Sequence, residues 1–250
     1  MVDLHTHILP EVDDGAADMD EALRMTMMAY ESGTEYLVLT PHCGVPDAER
    51  SNYWSREMAD RYRTFRQCVK DAGIPIRIGY GAEVFATAKL PELLKQGSLL
   101  TLAGSRYLLI EFSFDASPET IRDALRTVHQ AGLVPVLAHP ERYRMTSDCP
   151  GAIYDWVKSG CIIQMNRDSV TGRFGRSVED CAHMLLRAHL VHCVASDAHH
   201  ADFRSPDLTA AERVLVKQYG GSYARLLLKE NPLRVITNRE LVTPEALPLP

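Results

Sequence analysis

The residues best suited to metal chemistry come in two similarly spaced pairs, one near each end of the chain. His5 and His7 are separated by one residue, and Asp197 and His199 repeat that spacing. Side chains two apart on a β-strand point to the same face, so each pair can present two donor atoms to one cation. Imidazole mixed with carboxylate suits Mn²⁺, Fe²⁺ or Zn²⁺ better than copper or iron–sulfur chemistry. The spacing predicts a metal site shared by the two ends of the sequence.

Further candidate ligands end short apolar runs between these pairs. His42, Glu83, Glu111 and His139 each follow a stretch rich in small or aliphatic residues. The loop after the first pair adds Asp13 and Asp14, either of which could contribute a carboxylate. A lone histidine or carboxylate at such a position is usually structural. The number of them in one chain favours a functional site.

Seven short apolar runs with few interior charges have the composition of parallel strands that are buried on both faces. The predicted strands are Val2–His7, Tyr36–His42, Ile76–Glu83, Tyr107–Phe112, Val134–His139, Cys161–Asn166 and Val191–Asp197. Amphipathic stretches with helical spacing lie between them, and several end in glycine. The predicted helices are Met19–Glu31, Glu49–Ala72, Pro118–Gln130, Ile153–Lys158, Val178–Ala188 and Pro206–Tyr219. This alternation predicts one α/β domain over residues 1–250, a (β/α)7 TIM-like barrel.

In a βα barrel the C-terminal ends of all strands meet at one mouth, where active sites lie. The candidate histidines and carboxylates fall at the C-terminal ends of the first five predicted strands and of the seventh. Residues roughly 30 positions apart in the sequence would then be neighbours in space. These candidate ligands are more numerous than one ion can coordinate. We therefore expect two or three ions, with coordination positions left for water and substrate oxygen.

Two arginines stand close to these candidates in the sequence, Arg142 after His139 and Arg204 after His199. With neutral imidazoles, four carboxylates and three divalent ions would give the cluster a charge of about +2, which suits a phosphate dianion. A guanidinium is always charged and contacts phosphate through two parallel hydrogen bonds. We therefore expect Arg142 and Arg204 to bind a phosphate-containing substrate.

The composition excludes several classes of protein. The chain has 250 residues, 46% hydrophobic and 24% charged, which is typical of a globular protein rather than a disordered, collagen or coiled-coil one. Its formal net charge of −6 removes a general attraction to nucleic acid. No apolar run reaches the roughly 18 residues of a membrane span, and no basic leader precedes an apolar stretch at the N-terminus. We expect a cytoplasmic protein with no nucleic-acid partner and no membrane insertion.

The remaining histidines and the cysteines are interpreted as structural. The six cysteines form no CxxC pair, so neither a zinc ribbon nor a disulfide framework is expected. Cys43 follows His42, but no glycine loop with a following arginine surrounds it to cradle a phosphate. Five other histidines fall on predicted helices, in a helix–strand loop, at the start of the seventh strand or beside a stronger candidate. They are His129, His183, His189, His192 and His200.

Eight segments spread over nearly the whole chain carry a family resemblance: MVDLHTHILPEVDDG, TPH, GAEV, LIEFS, AHPERY, QMN, GRFG and ASDAHH with the following Arg204 and Pro206. Together they resemble the bacterial PHP-type protein-tyrosine phosphatases of the polymerase and histidinol phosphatase superfamily. The similarity is greatest to those tied to capsule or exopolysaccharide synthesis. HxH alone is a weak signal, whereas the ordered set with HPERY and SDAHH is specific.

The resemblance implies a distorted (β/α)7 barrel of the PHP fold and a manganese-preferring cluster, with Fe²⁺ and Zn²⁺ as alternatives. It implies Asp14 rather than Asp13 as the loop ligand, and Arg142 and Arg204 as phosphate-binding catalytic residues. It also implies a substrate, phosphotyrosine on the tail of an autophosphorylating bacterial tyrosine kinase. The implied metal ligands are His5, His7, Asp14, His42, Glu83, Glu111, His139, Asp197 and His199.

In the expected mechanism, water activated by the ions attacks phosphorus in line, without a phosphoenzyme. Glu111, on the central strand, is the carboxylate we expect to bridge two ions. Three other functions stay open: a histidinol-phosphate phosphatase, a PHP-type phosphodiesterase or exonuclease, and a metal-binding module without activity. The acidic charge disfavours the nuclease, and the complete ligand set disfavours the inactive module. Arg167 lies in a predicted loop where we expect no fixed side chain, and the sequence does not indicate an oligomeric state.

Overall fold

Parallel strands alternate with helices along the chain in a computed structural model, which describes residues 1–46 and 48–249. The strands are β1 Val2–Thr6, β2 Tyr36–Leu39, β3 His42–Cys43, β4 Arg77–Tyr80, β5 Glu83–Phe85, β6 Tyr107–Glu111, β7 Val134–Ala138, β8 Ile162–Asn166 and β9 Cys193–Ala195. The helices are α1 Met19–Glu31, α2 Arg56–Asp71, α3 Leu90–Gln96, α4 Pro118–Gln130, α5 Arg144–Asp148, α6 Gly151–Lys158, α7 Arg167–Val170, α8 Arg176–Arg187, α9 Thr209–Tyr219, α10 Gly221–Arg225 and α11 Asn231–Ile236.

The strands form two sheets, with the orders β1-β2-β4 and β3-β5-β6-β7-β8-β9. Every ladder in both sheets is parallel. All seven predicted strands are present, but Tyr36–His42 is divided into β2 and β3, and Ile76–Glu83 is divided into β4 and β5. The α/β class with parallel strands is therefore confirmed, and the two divided strands account for the presence of two sheets.

The division of the second predicted strand has a local cause. Pro41 has no N–H group to donate to a ladder. Beside it, Thr40 N donates to Thr6 O at 2.8 Å while Thr40 Oγ1 accepts from Thr6 N at 2.9 Å. The ladder restarts beyond the proline, where His42 and Glu83 are cross-strand partners in β3 and β5. The break thus sets two candidate ligands side by side.

The first and last strands also meet, at a contact that we call the β1–β9 seam (residues 5–7 against 197–199). Asp197 N donates to His5 O at 2.9 Å, and His7 N donates to Ala198 O at 2.8 Å. Thr6 and Ala198 form an isolated parallel bridge. The seam places the two ligand pairs of the sequence next to each other.

Except for β4, whose first and last residues are exposed, the strands are buried on both faces, as their apolar composition predicts. In β6, Leu108 and Ile110 pack with residues of α4, α6 and α8, whereas Tyr107 and Leu109 pack with β1, β2 and β7. Apolar contacts on both faces of the sheet therefore fix the position of this strand and of the glutamate at its C-terminal end. None of the helices that the structure describes is long and apolar enough to cross a membrane.

The helix predictions differ from the structure mainly at the ends. The bounds of α1 and α4 are as predicted, and α6, α8 and α9 differ by one to three residues at an end. The prediction that a helix begins at Glu49 was wrong, because Ser55 caps α2 with its side chain and α2 begins at Arg56. Asn52, with φ of 52°, instead donates to Val12 O and His42 O and ties that loop to the strand ends. The pattern gave no signal for α3, α5, α7, α10 and α11, which are short.

Candidate metal centre

The candidate ligands that the sequence places at separate strand ends lie together in the structure. Their donor atoms form three overlapping groups whose members all lie within 4.8 Å of one another. The groups are His7 with Asp14, His42 and His199; His5 with His7 and Glu83; and His42 with Glu83 and Glu111. His139 completes the cluster through its contact to Glu83, and Asp197 through its contacts to His5 and His7.

The two histidines of the β1–β9 seam present their ring nitrogens to the same point. His5 Nδ1 lies 2.9 Å from Gln164 Oε1, and His7 Nδ1 lies 2.7 Å from Asp13 Oδ2. Both partners are acceptors, so each Nδ1 carries the proton. The two Nε2 atoms face each other at 3.2 Å. Burial would lower the pKa of both rings, but the neighbouring carboxylates, Glu83 and Asp197 for His5 and chiefly Asp13 for His7, raise it. The space between the Nε2 atoms therefore favours a cation, either a shared proton or a metal ion.

Glu83 lies at the centre of the cluster. Its Oε2 atom is 3.1 Å from His5 Nε2, 3.2 Å from His7 Nε2 and 3.1 Å from His42 Nδ1. This buried oxygen nevertheless makes no hydrogen bond among the described residues. Its other oxygen, Oε1, lies 2.9 Å from His139 Nε2. A carboxylate oxygen that faces three imidazole nitrogens without a hydrogen bond fits a position beside a metal ion.

Glu111 contributes a second buried carboxylate on the same side. Its Oε1 lies 2.7 Å from His42 Nδ1, and its Oε2 lies 4.0 Å from His139 Nε2. Glu111 therefore contacts two of the histidines, whereas Glu83 contacts four. The structure gives Glu83 the more central position, although the sequence analysis expected Glu111 to bridge two ions.

The adjacent residues Asp13 and Asp14 have different surroundings. Asp14 is 67% exposed, and its Oδ1 lies 3.5 Å from Nε2 of both His42 and His199. Asp13 is buried and accepts hydrogen bonds from His7 Nδ1, from His42 N at 2.9 Å and from Gly15 N at 3.0 Å. The geometry favours Asp14 as the loop ligand, while Asp13 fixes the ring of His7.

Asp197 joins the cluster to the two arginines. Its Oδ1 faces His7 Nε2 at 3.4 Å. Its Oδ2 accepts from Arg204 Nη2 at 2.5 Å and from Asn166 Nδ2 at 2.5 Å, and Arg142 Nη1 lies 3.4 Å away. One carboxylate therefore faces the metal candidates with one oxygen and both predicted phosphate-binding residues with the other.

Three residues of this region have left-handed backbone conformations that non-glycine residues rarely adopt. They are His139 with φ of 34°, Asp197 with φ of 52° and Arg204 with φ of 53°. Such conformations persist only where the surrounding structure holds them, and they cluster at functional sites. The main chain is bent here in a way that directs polar side chains into the cluster.

The electrostatics of the cluster show a site that attracts positive charge. Burial alone would raise the pKa of Glu83, but the facing His5 and His42 outweigh burial and hold that pKa well below its usual value. Burial would lower the pKa of His42, but Glu83 and Glu111 raise it to about 10. Burial and the neighbouring Glu83 raise the pKa of Glu111. Protons or metal cations can neutralise these carboxylates, and the two compete for the same positions.

The cluster forms the floor of a cavity of about 800 Å³, which we call the mouth cavity. Arg142 and Arg204 line it together with Asp14 and His199. Part of its wall is apolar, and this apolar part consists of Val12, Val45, Ala48, Phe85, Phe112 and Phe114. The cavity can therefore accept a molecule with an anionic end directed at the arginines and an apolar part against this wall.

The sequence analysis missed several residues that support the cluster from β8 and the loop after β7. Gln164 orients His5, Asn166 donates to Asp197, and the buried Glu141 accepts from Asn166 N at 3.0 Å. The position carried a signal, since β8 ends in QMN, with two amide side chains, where other strands end in candidate ligands. The expectation of an unfixed Arg167 was wrong. Arg167 begins α7, is buried and donates to Ser205 Oγ and to the carbonyl of Asp207.

The residues interpreted as structural lie outside the donor groups that the described residues form. His192 is buried and accepts from Ile163 N at 3.1 Å. His183 is hydrogen-bonded to Tyr219, and the half-exposed His200 lies 3.5 Å from Glu21. All six cysteines are free thiols. Burial raises the pKa of Cys43 to about 12, which disfavours a thiolate nucleophile beside the cluster.

Comparison with known proteins shows the family to which the chain belongs. Residues 1–237 match the family model for capsular polysaccharide synthesis, CpsB/CapC. The chain is 32% identical over 241 residues to tyrosine-protein phosphatase YwqE of Bacillus subtilis, covering 96% of this chain and 93% of that protein. It is 31% identical over 244 residues to tyrosine-protein phosphatase CpsB of Streptococcus pneumoniae, covering 96% and 99%.

Solved structures of proteins from the same family have the same fold as this chain. The crystal structures of YwqE from Bacillus subtilis and CpsB from Streptococcus pneumoniae are described as unique metal-dependent tyrosine phosphatases. The match has a TM-score of 0.93 and 29% identity and covers both chains completely. A phosphotriesterase homology protein from Escherichia coli aligns with a TM-score of 0.62 at 10% identity, over 94% of this chain and 98% of that one, and shares the fold alone.

Proposed function

Because the chain belongs to the CpsB/CapC family of capsular polysaccharide synthesis proteins, we propose that it is a metal-dependent protein-tyrosine phosphatase. The family resemblance of the sequence segments is confirmed by this match. The observation that carries the proposal is the arrangement around Asp197, which faces the donor cluster with one oxygen and Arg142 and Arg204 with the other. Such a site can hold cations and a phosphate side by side.

The donor set fits divalent ions. The Nε2 atoms of His5 and His7 converge at 3.2 Å, and Glu83 Oε2 is buried without a hydrogen bond among the described residues. Two or three ions, with manganese preferred, would be held there, and their chemistry when bound is Lewis-acid activation of water and of phosphoryl oxygens. The residues that would hold them are His5, His7, Asp14, His42, Glu83, Glu111, His139, Asp197 and His199.

The chain's own cations bind and orient the phosphate. Arg204 and Arg142 already direct N–H groups toward Asp197 Oδ2, so they are placed beside the cluster before substrate arrives. A phosphate oxygen that enters can accept these N–H groups through the planar fork of each guanidinium. Both arginines then stabilise charge that grows on the phosphoryl oxygens as the bond to the leaving group breaks.

The apolar part of the mouth cavity suits the ring of phosphotyrosine. Val12, Phe85 and Phe114 line the wall beside the arginines. A phenolate leaves without full protonation, so the reaction does not need a general acid. His42 and His199 are the histidines closest to Asp14 at the mouth, and both serve better as ligands than as proton donors. The site therefore favours aryl over alkyl phosphates.

The biological context of the proposal follows the family. The substrate would be a phosphotyrosine protein, the tail of an autophosphorylating bacterial tyrosine kinase that regulates capsule or exopolysaccharide synthesis, and the enzyme would act in the cytoplasm. The net charge of −6 supports a protein substrate rather than nucleic acid. The chain is one PHP domain in this proposal, and its two sheets are parts of a distorted (β/α)7 barrel. The hydrogen bonds of the β1–β9 seam support that architecture.

The decisive experiment compares substrates on manganese-reconstituted protein. We expect kcat/KM for a phosphotyrosine peptide to exceed that for the matching phosphoserine peptide by about 100-fold or more, because only the phenolate leaves unassisted. Histidinol phosphate and single-stranded DNA serve as the other substrates. The same protein treated with a chelator is the control and should be inactive. Faster hydrolysis of histidinol phosphate or of DNA would refute the proposal.

A further inference from the structure

Two phenylalanine rings flank the guanidinium group of Arg142. The Cζ atom of Arg142 lies 4.7 Å from the ring centroid of Phe114 and 4.5 Å from that of Phe174. A guanidinium over an aromatic face within about 6 Å is attracted by the ring quadrupole. The rings come from different parts of the chain, one after β6 and the other between α7 and α8. We call this arrangement the Arg142 clamp (Phe114, Arg142 and Phe174).

The two arginines of the site are held in different ways. Arg204 has a 2.5 Å contact to Asp197 Oδ2, whereas Arg142 Nη1 lies 3.4 Å from the same oxygen. At 3.4 Å this contact is too long to fix a flexible side chain by itself. The aromatic contacts supply the restraint that a short hydrogen bond gives Arg204.

Phe174 occupies the tip of a turn whose shape requires glycine. Gly172 and Gly175 flank it with φ of 74° and 93°, and Gly175 N donates to Gly172 O at 3.0 Å. A Cβ atom on Gly172 would lie 2.7 Å from the carboxylate of Glu179. The turn is held to α7 by Arg173 N, which donates to Asp168 O at 2.9 Å. This backbone fixes the ring beside the guanidinium group of Arg142.

Phe114 approaches Arg142 from the loop after β6. Its carbonyl accepts from Arg144 N at 2.9 Å, so this loop is tied to the segment that carries Arg142. Its ring centroid is 6.2 Å from that of His139 and 6.0 Å from that of Tyr143. The side chain is nevertheless 47% exposed. Neither Phe114 nor Phe174 packs into the hydrophobic clusters of the described residues, so core packing does not explain them.

We propose that Phe114 and Phe174 are positioning residues that hold the guanidinium of Arg142 beside the donor cluster, where it meets the substrate phosphate. This proposal rests on the proposed function. A free arginine side chain loses rotamer freedom when it binds phosphate. The clamp removes part of that freedom beforehand, so phosphate binds more tightly to the same charge.

The test is a double-mutant cycle on manganese-loaded protein. Phe174→Leu keeps an apolar side chain but removes the ring, and Arg142→Met keeps the stem of Arg142 but removes its charge. We expect Phe174→Leu to weaken binding of inorganic phosphate about fivefold by calorimetry, and to raise KM for phenyl phosphate by the same factor with kcat within about twofold. In the Arg142→Met background it should change phosphate binding by less than about 1.5-fold.

Two further variants separate positioning from packing. Phe174→Tyr keeps the aromatic face and should bind phosphate like the wild type. Tyr36→Leu is the matched control, because Tyr36 makes the same kind of contact with Arg77 at 5.5 Å but begins β2, at the opposite end of the strands from the mouth. It should leave phosphate binding unchanged. An equal loss from Phe174→Leu with and without Arg142, or a Phe174→Tyr variant as weak as Phe174→Leu, would overturn the proposal.

A spectroscopic measurement tests the Arg142 clamp independently of the enzymatic activity. Rotation about the Cζ–Nε bond of Arg142 can be followed by NMR of the guanidinium in labelled protein without substrate. We expect this rotation to be several times faster in Phe174→Leu than in wild type and in Tyr36→Leu. Unchanged rotation would refute the clamp even in an active enzyme. Failure to hydrolyse phosphotyrosine, with faster rotation in the variant, would refute the proposed function and leave the clamp standing.

Discussion

Asp13 and Asp14 are neighbours in the sequence, but we expect their amide variants to fail in different ways. Asp13→Asn keeps the shape of the side chain and removes its charge. One oxygen of Asp13 accepts from His7 Nδ1 and His42 N, and the other accepts from Gly15 N. The side-chain amide of the new asparagine has one oxygen and one NH₂ group. Whichever way the amide is oriented, its NH₂ group faces at least one of these N–H donors and cannot accept from it. At least one hydrogen bond to a buried charge is lost.

The magnitude follows from these contacts. A hydrogen bond to a charged group contributes about 1.5–3 kcal/mol, so Asp13→Asn should lower the unfolding free energy of the metal-free protein by about that amount. The ring of His7 also loses the partner that keeps its Nε2 free for a metal. Loss of such a partner typically weakens metal binding about 10- to 100-fold.

Asp14→Asn is the matched comparison. The Asp14 side chain is 67% exposed and lies 3.5 Å from its histidine neighbours, so the metal-free protein should keep its stability within about 0.5 kcal/mol. Metal binding should fall, because a ligand is removed directly.

Urea unfolding in the presence of a chelator measures the stability of the metal-free variants, and titration against a competing chelator measures manganese affinity. The assignment of the two aspartates fails if Asp14→Asn destabilises the metal-free protein as much as Asp13→Asn does. It also fails if Asp14→Asn binds manganese like the wild type.

Three other outcomes are expected. Glu83→Gln should lower the metal content more than Glu111→Gln does, because Glu83 contacts four histidines and Glu111 contacts two. Elemental analysis that finds the same metal content in both variants would contradict this. Arg204→Lys keeps the charge but loses the guanidinium fork, and should cost about 2–3 kcal/mol in kcat/KM, or roughly 30- to 150-fold, with the metal content unchanged. A variant within about twofold of wild type would argue against a phosphate contact. Burial lowers the pKa of His192 from 6.5 to about 4. As the pH falls from 6.5 to 4, the imidazole of His192 is protonated in the unfolded chain before it is protonated in the folded protein, so the folded protein loses stability. Between pH 6.5 and pH 5 the wild-type metal-free protein should therefore lose about 1.5 kcal/mol of stability through His192, and His192→Asn should not lose this part. Urea unfolding at the two pH values measures the difference, and identical losses would show that His192 is not responsible.

Much of the cluster could be predicted because parallel strands bring their C-terminal ends to one side of the fold. His5, Glu83, Glu111 and Asp197 were placed together by that rule alone, without knowledge of any contact. The helices α1 and α4 were also predicted with the observed bounds, since their caps and apolar spacing are local features of the sequence.

Other features depend on contacts that the local pattern does not contain. The different roles of Asp13 and Asp14 arise from the turn at Gly15, where a Cβ atom would lie 1.9 Å from His7 O. The start of α2 depends on Ser55 and on the long-range hydrogen bonds of Asn52. Gln164 lies near a strand end, as the candidate ligands do, but an amide gives no signal of a metal site by itself, so its role in orienting His5 follows only from the observed contact.

The β1–β9 seam makes the site a property of the finished polypeptide. Asp197 and His199 complete a cluster that begins with His5 and His7, and the ribosome makes about three quarters of the chain between these pairs. Bringing segments so distant in sequence together carries a loop-closure cost and is a late event in folding. A product that terminates before Asp197 therefore has most of the helices but lacks the second half of the donor set. If the cluster binds metal as we propose, metal loading at full affinity during biosynthesis would require that residue 199 has left the ribosome and that the last strand has docked.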